Sequence, residues 1–172
     1  MQPITQKIEK SELFDSIRFL LTEARKSVVR NINQTMVYTY FKIGRMIVED
    51  EQKGEYRAGY GKQILIDLSA RLNKEFGRGF SVDNLQNMRN FYLYYSLQIF
   101  ENQDVEKYET LSRKSYSIPH FQLSWSHYLK LMRITDLAER QFYEIETFTN
   151  QWSLRELQRQ AVTKRFYQVK KN

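Results

Sequence analysis

The chain has 172 residues, enough for one well-packed domain or for two small lobes that share a core. Lysine and arginine number 27 against 20 aspartate and glutamate, which gives a net charge of +7, and there is no cysteine. The charge favours a polyanionic partner such as nucleic acid or an acidic protein, and the absence of cysteine excludes disulfides and thiolate nucleophiles. No apolar run approaches the roughly 20 residues that cross a bilayer, and the N-terminus has no signal-peptide pattern. We therefore expect a cytoplasmic protein without membrane attachment.

The first half of the chain is predicted to be a helical scaffold over residues 11–52, preceded by a disordered N-terminus over residues 1–10. Apolar residues recur at three- and four-residue steps, which is the period of an amphipathic helix. The pattern slips around residues 31–33, and because neither Pro nor Gly separates the two parts, periodicity leaves open one bent helix or a hairpin. The first part carries an apolar face of Leu13, Ile17, Leu20, Leu21, Ala24 and Val28, and the second is predicted to bury Val37, Tyr40, Phe41, Gly44, Ile47 and Val48.

Residues 61–95 are predicted to form a helix-turn-helix. An amphipathic run ends at Phe76, the glycines at 77 and 79 can adopt positive φ angles, and Ser81 can cap a second helix. The residues predicted to pack inward on that helix are Val82, Leu85, Met88, Tyr92 and Tyr95. Those predicted to lie on or beside the outward face are Asp83, Asn84, Gln86, Asn87, Asn90, Phe91 and Tyr94. Asn and Gln pair with adenine in the major groove, so this face is typical of a DNA-reading helix, or alternatively of a solvated helical hairpin.

The rest of the chain is predicted to contain a linker over residues 101–119, a C-terminal helical lobe over 123–165 and a basic tail over 166–172. Within the lobe, residues 151–158 repeat the order aromatic, Ser, aliphatic, two polar, Leu, Gln, found 72 residues earlier. A second lobe of helix-turn-helix type is one interpretation. A chance match at a serine-capped helix is the other.

Five separated motifs carry a family resemblance. They are Tyr40-Phe-Lys-Ile-Gly-Arg45, Leu72-Asn-Lys-Glu-Phe-Gly-Arg-Gly-Phe-Ser81, Asn84-Leu-Gln-Asn-Met-Arg-Asn-Phe-Tyr92, Leu123-Ser-Trp-Ser-His127 and Trp152-Ser-Leu-Arg-Glu-Leu157. From about Leu13 to Gln160, the chain resembles the N-terminal domain of the YhcG family, bacterial proteins in which this domain precedes a PD-(D/E)XK nuclease domain. The resemblance implies an all-α domain of helix-turn-helix character that brings a nuclease to DNA. The chain ends about where the nuclease domain of a full-length member would start, and from Ala161 it departs from the family pattern, so we expect an excised fragment or a natural short form.

Catalysis by this domain is not expected. A PD-(D/E)XK site requires an Asp and a Glu-x-Lys on adjoining strands, where the carboxylates hold Mg²⁺. The nearest sequence, residues 50–53, follows an amphipathic helix and has no strand pattern. We therefore expect no catalytic residue, cofactor or small-molecule substrate in this domain. We also expect no metal, because Mg²⁺ would be held by the nuclease domain that follows this domain in the family.

The expected function is therefore non-catalytic DNA binding, with residues 81–95 as the recognition helix. The residues expected to face bases are Asn84, Asn87 and Asn90, and those expected near phosphates are Arg57, Lys62, Arg78, Arg89, Arg155 and Arg159. Arg89 lies at the edge of the buried side, where it could instead pair with a core carboxylate. The alternative is a protein-interaction or homo-oligomerisation domain that uses exposed aromatic residues such as Tyr38, Phe91 and Tyr94.

Overall fold

A computed structural model describes residues 4–53, 60–105, 121–164 and 166–167. These ranges contain six α-helices and no strand, which confirms the all-α prediction. The helices are α1 (Ile4–Lys53), α2 (Tyr60–Phe76), α3 (Val82–Val105), α4 (Trp125–Leu131), α5 (Leu137–Thr149) and α6 (Leu154–Val162). No helix within the described ranges has the length and apolar character needed to cross a membrane.

Two helices extend beyond the predicted segments. Residues 4–10, predicted to be disordered, belong to α1, and residues 101–105 of the predicted linker belong to α3. Neither stretch contains Gly or Pro, and a helix that has already formed extends readily through such residues. Residues 106–119 of the predicted linker and 168–172 of the predicted tail lie outside the described residues.

The N-terminal scaffold is one continuous helix rather than a hairpin. Its second part buries Val37, Phe41 and Ile47 against the other helices, as the periodicity predicts. Its first part leaves the apolar face that begins at Leu13 exposed to solvent. Periodicity identifies an apolar face but not what covers it.

The pair α1 and α3 forms the centre of the molecule. The two helices cross where Gly44 of α1 meets the backbone of Met88, so closely that a Cβ atom on Gly44 would lie 2.7 Å from the Met88 carbonyl carbon. On one side of this crossing, α2 completes a small core of Ile47, Leu65, Leu85 and Met88. On the other, α3 packs against the C-terminal lobe.

An aromatic cluster joins α3 to the C-terminal lobe. Phe91 lies at its centre, fully buried, with ring centroids 4.8 Å from Phe121, 5.0 Å from Tyr128 and 5.3 Å from Trp125. The prediction that Phe91 lies beside the outward face of the second helix is therefore wrong. A helix that packs on α1, α2 and the C-terminal lobe buries a wider arc than the single stripe that periodicity selects.

The turns before α3 and α6 both have a residue of positive φ two positions before the capping serine. Gly79 has a φ of 132° and Gln151, 72 residues later, has a φ of 51°, whereas the positive φ of Gly77 (80°) has no counterpart at Thr149. In each turn a serine, Ser81 or Ser153, accepts a 3.2 Å hydrogen bond from the backbone N–H three residues later. The repeated sequence thus forms the same serine cap in two turns whose backbones differ.

A half-buried carboxyl group lies where α5 meets α3. The Tyr95 hydroxyl donates a hydrogen bond to Glu144 over 3.2 Å. Burial raises the pKa of Glu144 above its usual value, and it outweighs the opposing effects of the nearby Tyr128 and Tyr95 hydroxyls and of the Arg140 charge. The folded state therefore favours the protonated carboxyl group.

This raised pKa makes stability dependent on pH. The contribution of Glu144 is complete below the pKa of the unfolded chain and is lost as pH rises through the folded-state pKa. Glu144→Gln keeps an acceptor for Tyr95 without a charge, and we expect it to raise the free energy of unfolding at pH 7 but not at pH 4. Urea denaturation at the two pH values measures this, with the exposed Glu75→Gln as control. Equal effects of both substitutions would contradict the assignment.

Candidate nucleic-acid interface

A cleft between α3 and the end of α4 contains two of the predicted base-facing residues. Asn87 and Asn90 line it, opposite Leu129, Met132 and Arg133, and its volume is about 230 Å³. Both asparagines are half-buried, while Arg133 is exposed. The amide oxygen of Asn90 accepts a 3.0 Å hydrogen bond from Gln86 one turn earlier. The two amides therefore face a narrow opening rather than an open helix face.

Asn84 has a different environment. Its amide nitrogen donates to the Gly79 carbonyl oxygen over 2.6 Å, and its amide oxygen accepts from the Trp125 indole N–H over 3.0 Å. These two bonds attach the α2–α3 turn to the start of α4. The side chain thus holds the turn in position.

Arg89 pairs with a carboxylate of α1. Its Nε donates to Glu51 over 2.6 Å, and both side chains are partly buried. The other Glu51 carboxylate oxygen lies 3.0 Å from where a Cβ on Gly61 would be, so the start of α2 also lies beside this ion pair. Lys62 follows Gly61 in the first turn of α2 and is exposed.

The other predicted phosphate contacts are spread over the surface. Arg78 is exposed in the α2–α3 turn, and Arg155 is exposed in the first turn of α6. Arg159 is also exposed, but its guanidinium donates two hydrogen bonds to Glu156, over 3.0 Å and 2.7 Å. Arg57 lies outside the described residues.

Sequence reasoning missed Arg133. The residue lies in the turn after α4, between the helix-turn-helix and the final helix that supplied the predicted contacts. Only the packing of α4 beside α3 brings it to the asparagine cleft. No signal in the sequence connects residue 133 with residues 87 and 90.

The predicted aromatic interaction patch does not form as a unit. Phe91 is buried in the core, and Tyr38 is half-buried beside Lys42. Tyr94 is exposed, but the Arg140 guanidinium lies over its ring at 4.8 Å from the centroid. An interaction surface made of these three residues is therefore excluded.

The side chain of His127, in the C-terminal lobe, is held by contacts within the protein. The Nδ1 atom of His127 lies 2.7 Å from the Ser124 hydroxyl, and its Nε2 atom lies 3.1 Å from the Trp152 carbonyl oxygen. Burial lowers the pKa of His127, which favours the neutral ring. A ring that donates to Trp152 and accepts from Ser124 satisfies both contacts.

Among the residues that the structure describes, no three His, Asp or Glu side chains are grouped so that they could hold a metal ion.

Comparisons with known proteins identify the family. Residues 16–168 match the DUF1016 N-terminal domain. The chain is 38% identical over 176 aligned residues to a protein of Escherichia coli (strain K12) named "Putative nuclease YhcG". The alignment covers 91% of this chain but 45% of that relative, so the chain spans about half of the relative's length. No solved structure matches the chain. The chain belongs to the DUF1016 N-terminal domain family, as its five motifs predict.

Proposed function

We propose that this domain binds DNA and thereby directs a nuclease to its substrate. The observation that carries the proposal is the cleft in which Asn87 and Asn90 lie side by side, with an exposed arginine, Arg133, beside them. Asparagine side chains both donate and accept hydrogen bonds, as the edge of adenine requires. An arginine beside them supplies a phosphate contact that positions the protein.

The charge of the protein supports a polyanionic partner. From Val82 to Ser96, α3 carries one acidic residue, Asp83, and the protein as a whole has a net charge of +7. Lys62 and Arg78 are exposed on the preceding helix and turn. The relative named as a nuclease supports the same partner, because a nuclease has to bind nucleic acid.

The contacts inside the domain refine the roles of the proposed residues. Asn87 and Asn90 would read bases, and Lys62, Arg78, Arg133 and Arg155 would contact phosphates. Asn84, Arg89 and Arg159 are held by neighbours within the protein, so we assign them to positioning the turn, α3 and α6. Arg57 remains a proposed phosphate contact.

A salt titration tests the electrostatic part of this proposal. We expect the protein to bind a labelled DNA duplex, with an affinity that falls steeply as salt is added because bound arginine and lysine release counterions. About five phosphate contacts would give a slope near −4.5 in log K against log salt, or about a 500-fold loss between 50 and 200 mM. Fluorescence anisotropy measures it. No binding at low salt, to the duplex or to either strand alone, would refute DNA binding.

Substitutions test the reading of bases. A preferred duplex is first selected from a random pool and compared with a scrambled duplex. Asn87→Ala with Asn90→Ala should reduce the preference about tenfold or more, since a bidentate base contact contributes roughly 1–3 kcal/mol to discrimination. Arg133→Gln should weaken binding to both duplexes equally. Gln141→Ala, an exposed amide on α5, serves as the control. An unchanged preference in the double variant would show that the cleft does not read sequence.

A further inference from the structure

The first part of α1 forms a helical arm, residues 12–32, that has few contacts with the rest of the domain. Every residue of this arm is exposed except Glu23, which is half-buried. A solitary helix of about 20 residues is only marginally stable in water, and helices in proteins owe their stability mainly to the packing of an apolar face. The arm therefore has the character of an element that packs on a partner.

An apolar stripe runs along this arm. At about 100° per residue, one side of the helix carries an uncharged row roughly 30 Å long. The row consists of Leu13, Phe14, Ile17, Leu20, Leu21, Ala24, Val28, Asn31 and Ile32. Its large apolar residues are between 48% and 68% exposed. Soluble monomers rarely leave a continuous apolar surface of this kind uncovered.

The apolar stripe faces away from the rest of the domain. Arg25, Lys26, Arg30 and Asn33 line a groove of about 890 Å³ between the arm and the C-terminal lobe. Lys26, Arg30 and Asn33 lie on the side of the helix opposite to the stripe, at about 100° per residue, and Arg25 lies at the edge of the stripe. The buried residues of the second part of α1, such as Val37 and Gly44, also point to that opposite side. The domain itself therefore does not cover the stripe.

We propose that the apolar stripe binds the same stripe of a second copy of this chain, with the two arms antiparallel. Large apolar residues have roughly 200 Å² of surface each, so the observed exposure leaves on the order of 800 Å² per copy along the stripe. That area is about what one partner contributes to a standard protein interface. Two copies meeting about a twofold axis near Leu21 would cover both stripes at once, because such an interface is self-complementary.

Charge favours the antiparallel arrangement. The first part of the arm carries Glu12, Asp15 and Glu23 against one base, Arg18. The following residues to 32 carry Arg25, Lys26 and Arg30 and no acid. Antiparallel arms bring the acidic end of one copy to the basic end of the other, whereas parallel arms bring like-charged ends together. The charges lie beside or behind the stripe, and Glu23 already pairs with Lys26 of its own helix over 2.8 Å, so they favour one orientation at long range and the apolar contacts supply the affinity.

Sedimentation equilibrium tests the association. Interfaces of this size dissociate at micromolar concentrations or below, so between about 0.1 and 200 µM we expect the mass to approach twice 20.9 kDa. A mass that stays at the monomer value throughout would overturn the proposal and point to another occupant, such as a further segment of a longer chain.

A matched pair of variants tests the surface. Leu21 is 54% exposed within the stripe, and Phe19 is 69% exposed on the opposite side of the same turn. Leu21→Glu should weaken the dimer about 30-fold or more, because it places a charge at the centre of an apolar contact. Phe19→Glu should change the dissociation constant of the dimer by less than about twofold, since an added charge outside a contact has little effect. Circular dichroism verifies that both variants fold. Equal effects on association would overturn the assignment to the stripe.

A distance measurement tests the orientation. Because the chain has no cysteine, Glu12→Cys provides a single site for a spin label. With an axis near Leu21, antiparallel arms separate the two labels by roughly 25–35 Å, since each residue adds 1.5 Å along the helix. Parallel arms would hold them within about 20 Å, at the usual spacing between helix axes plus the label arms. Pulsed electron resonance distinguishes these values, and the shorter one would overturn the antiparallel arrangement.

Discussion

Gly44→Ala is expected to lower the free energy of unfolding by about 3 kcal/mol or more. The added methyl group would overlap the Met88 carbonyl group and approach the Tyr92 Cβ atom to 3.1 Å. Its main obstacle is backbone, which cannot rotate away as a flexible side chain can. Relief of the overlap would require α1 and α3 to separate along their whole contact, so the loss should exceed the gain in helix propensity from Gly to Ala. Urea denaturation followed by circular dichroism measures the change.

Gly61→Ala is the matched control for this prediction. Gly61 also lies in a helix, but a Cβ atom there meets the Glu51 carboxylate, the far end of a flexible side chain, at 3.0 Å. We expect the free energy of unfolding to change by less than about 1 kcal/mol, in either direction. Alanine has the higher helix propensity, and the small shift it forces on the Glu51 side chain opposes that gain. A loss at Gly61 as large as that at Gly44 would show that close packing of α1 on α3 is not the cause.

Phe91→Ala is expected to lower the free energy of unfolding by about 3–5 kcal/mol. Its ring contacts aromatic rings from α1, from α3 and from the segment that leads into and forms α4, including Phe41, Phe121 and Tyr128. Removal of the ring leaves a cavity among side chains that are rigid and large, so little of the space can be refilled. The C-terminal lobe should separate from α3 first, which hydrogen exchange of α4 would detect as earlier loss of protection.

Phe76→Ala provides the comparison for the aromatic cluster. Phe76 is 64% exposed at the end of α2, and its ring lies 6.2 Å from that of Phe80. We expect Phe76→Ala to lower the free energy of unfolding by less than about 1 kcal/mol, since little of the Phe76 surface is buried. If the two alanine variants lost equal stability, Phe91 would not be the centre of the core.

Local features of this fold were predictable from the sequence. Asp136 and Ser153 cap α5 and α6 by accepting backbone hydrogen bonds, because short polar side chains before an apolar run satisfy the first N–H groups of a helix. The glycine turn before Ser81 likewise ends α2 and starts α3 near the predicted residues. Caps and turns depend on a few neighbouring residues, and these are present in the sequence itself.

Relations between distant helices were not predictable in the same way. Periodicity places Asn87 and Asn90 on the outward side of α3, but only the folded chain shows that Leu129 and Met132 narrow the opening in front of them. The Trp125 indole that binds Asn84 and the Glu51 carboxylate that binds Arg89 come from 41 and 38 residues away. Each contact depends on which helices become neighbours, and a single helical pattern does not contain that information.

The unbroken course of α1 has a geometric consequence for the distance between the arm and the domain body. One residue inserted between Ile32 and Val37 would turn the arm by about 100° and leave its apolar stripe pointing elsewhere. Seven inserted residues would return it to within about 20° of its present direction while moving it roughly 10 Å outward, and eleven would nearly restore it as well. The number of residues in this interval therefore sets both the distance of the arm from the domain body and the direction of its apolar stripe, and insertions of nearly whole turns change the distance while preserving the direction.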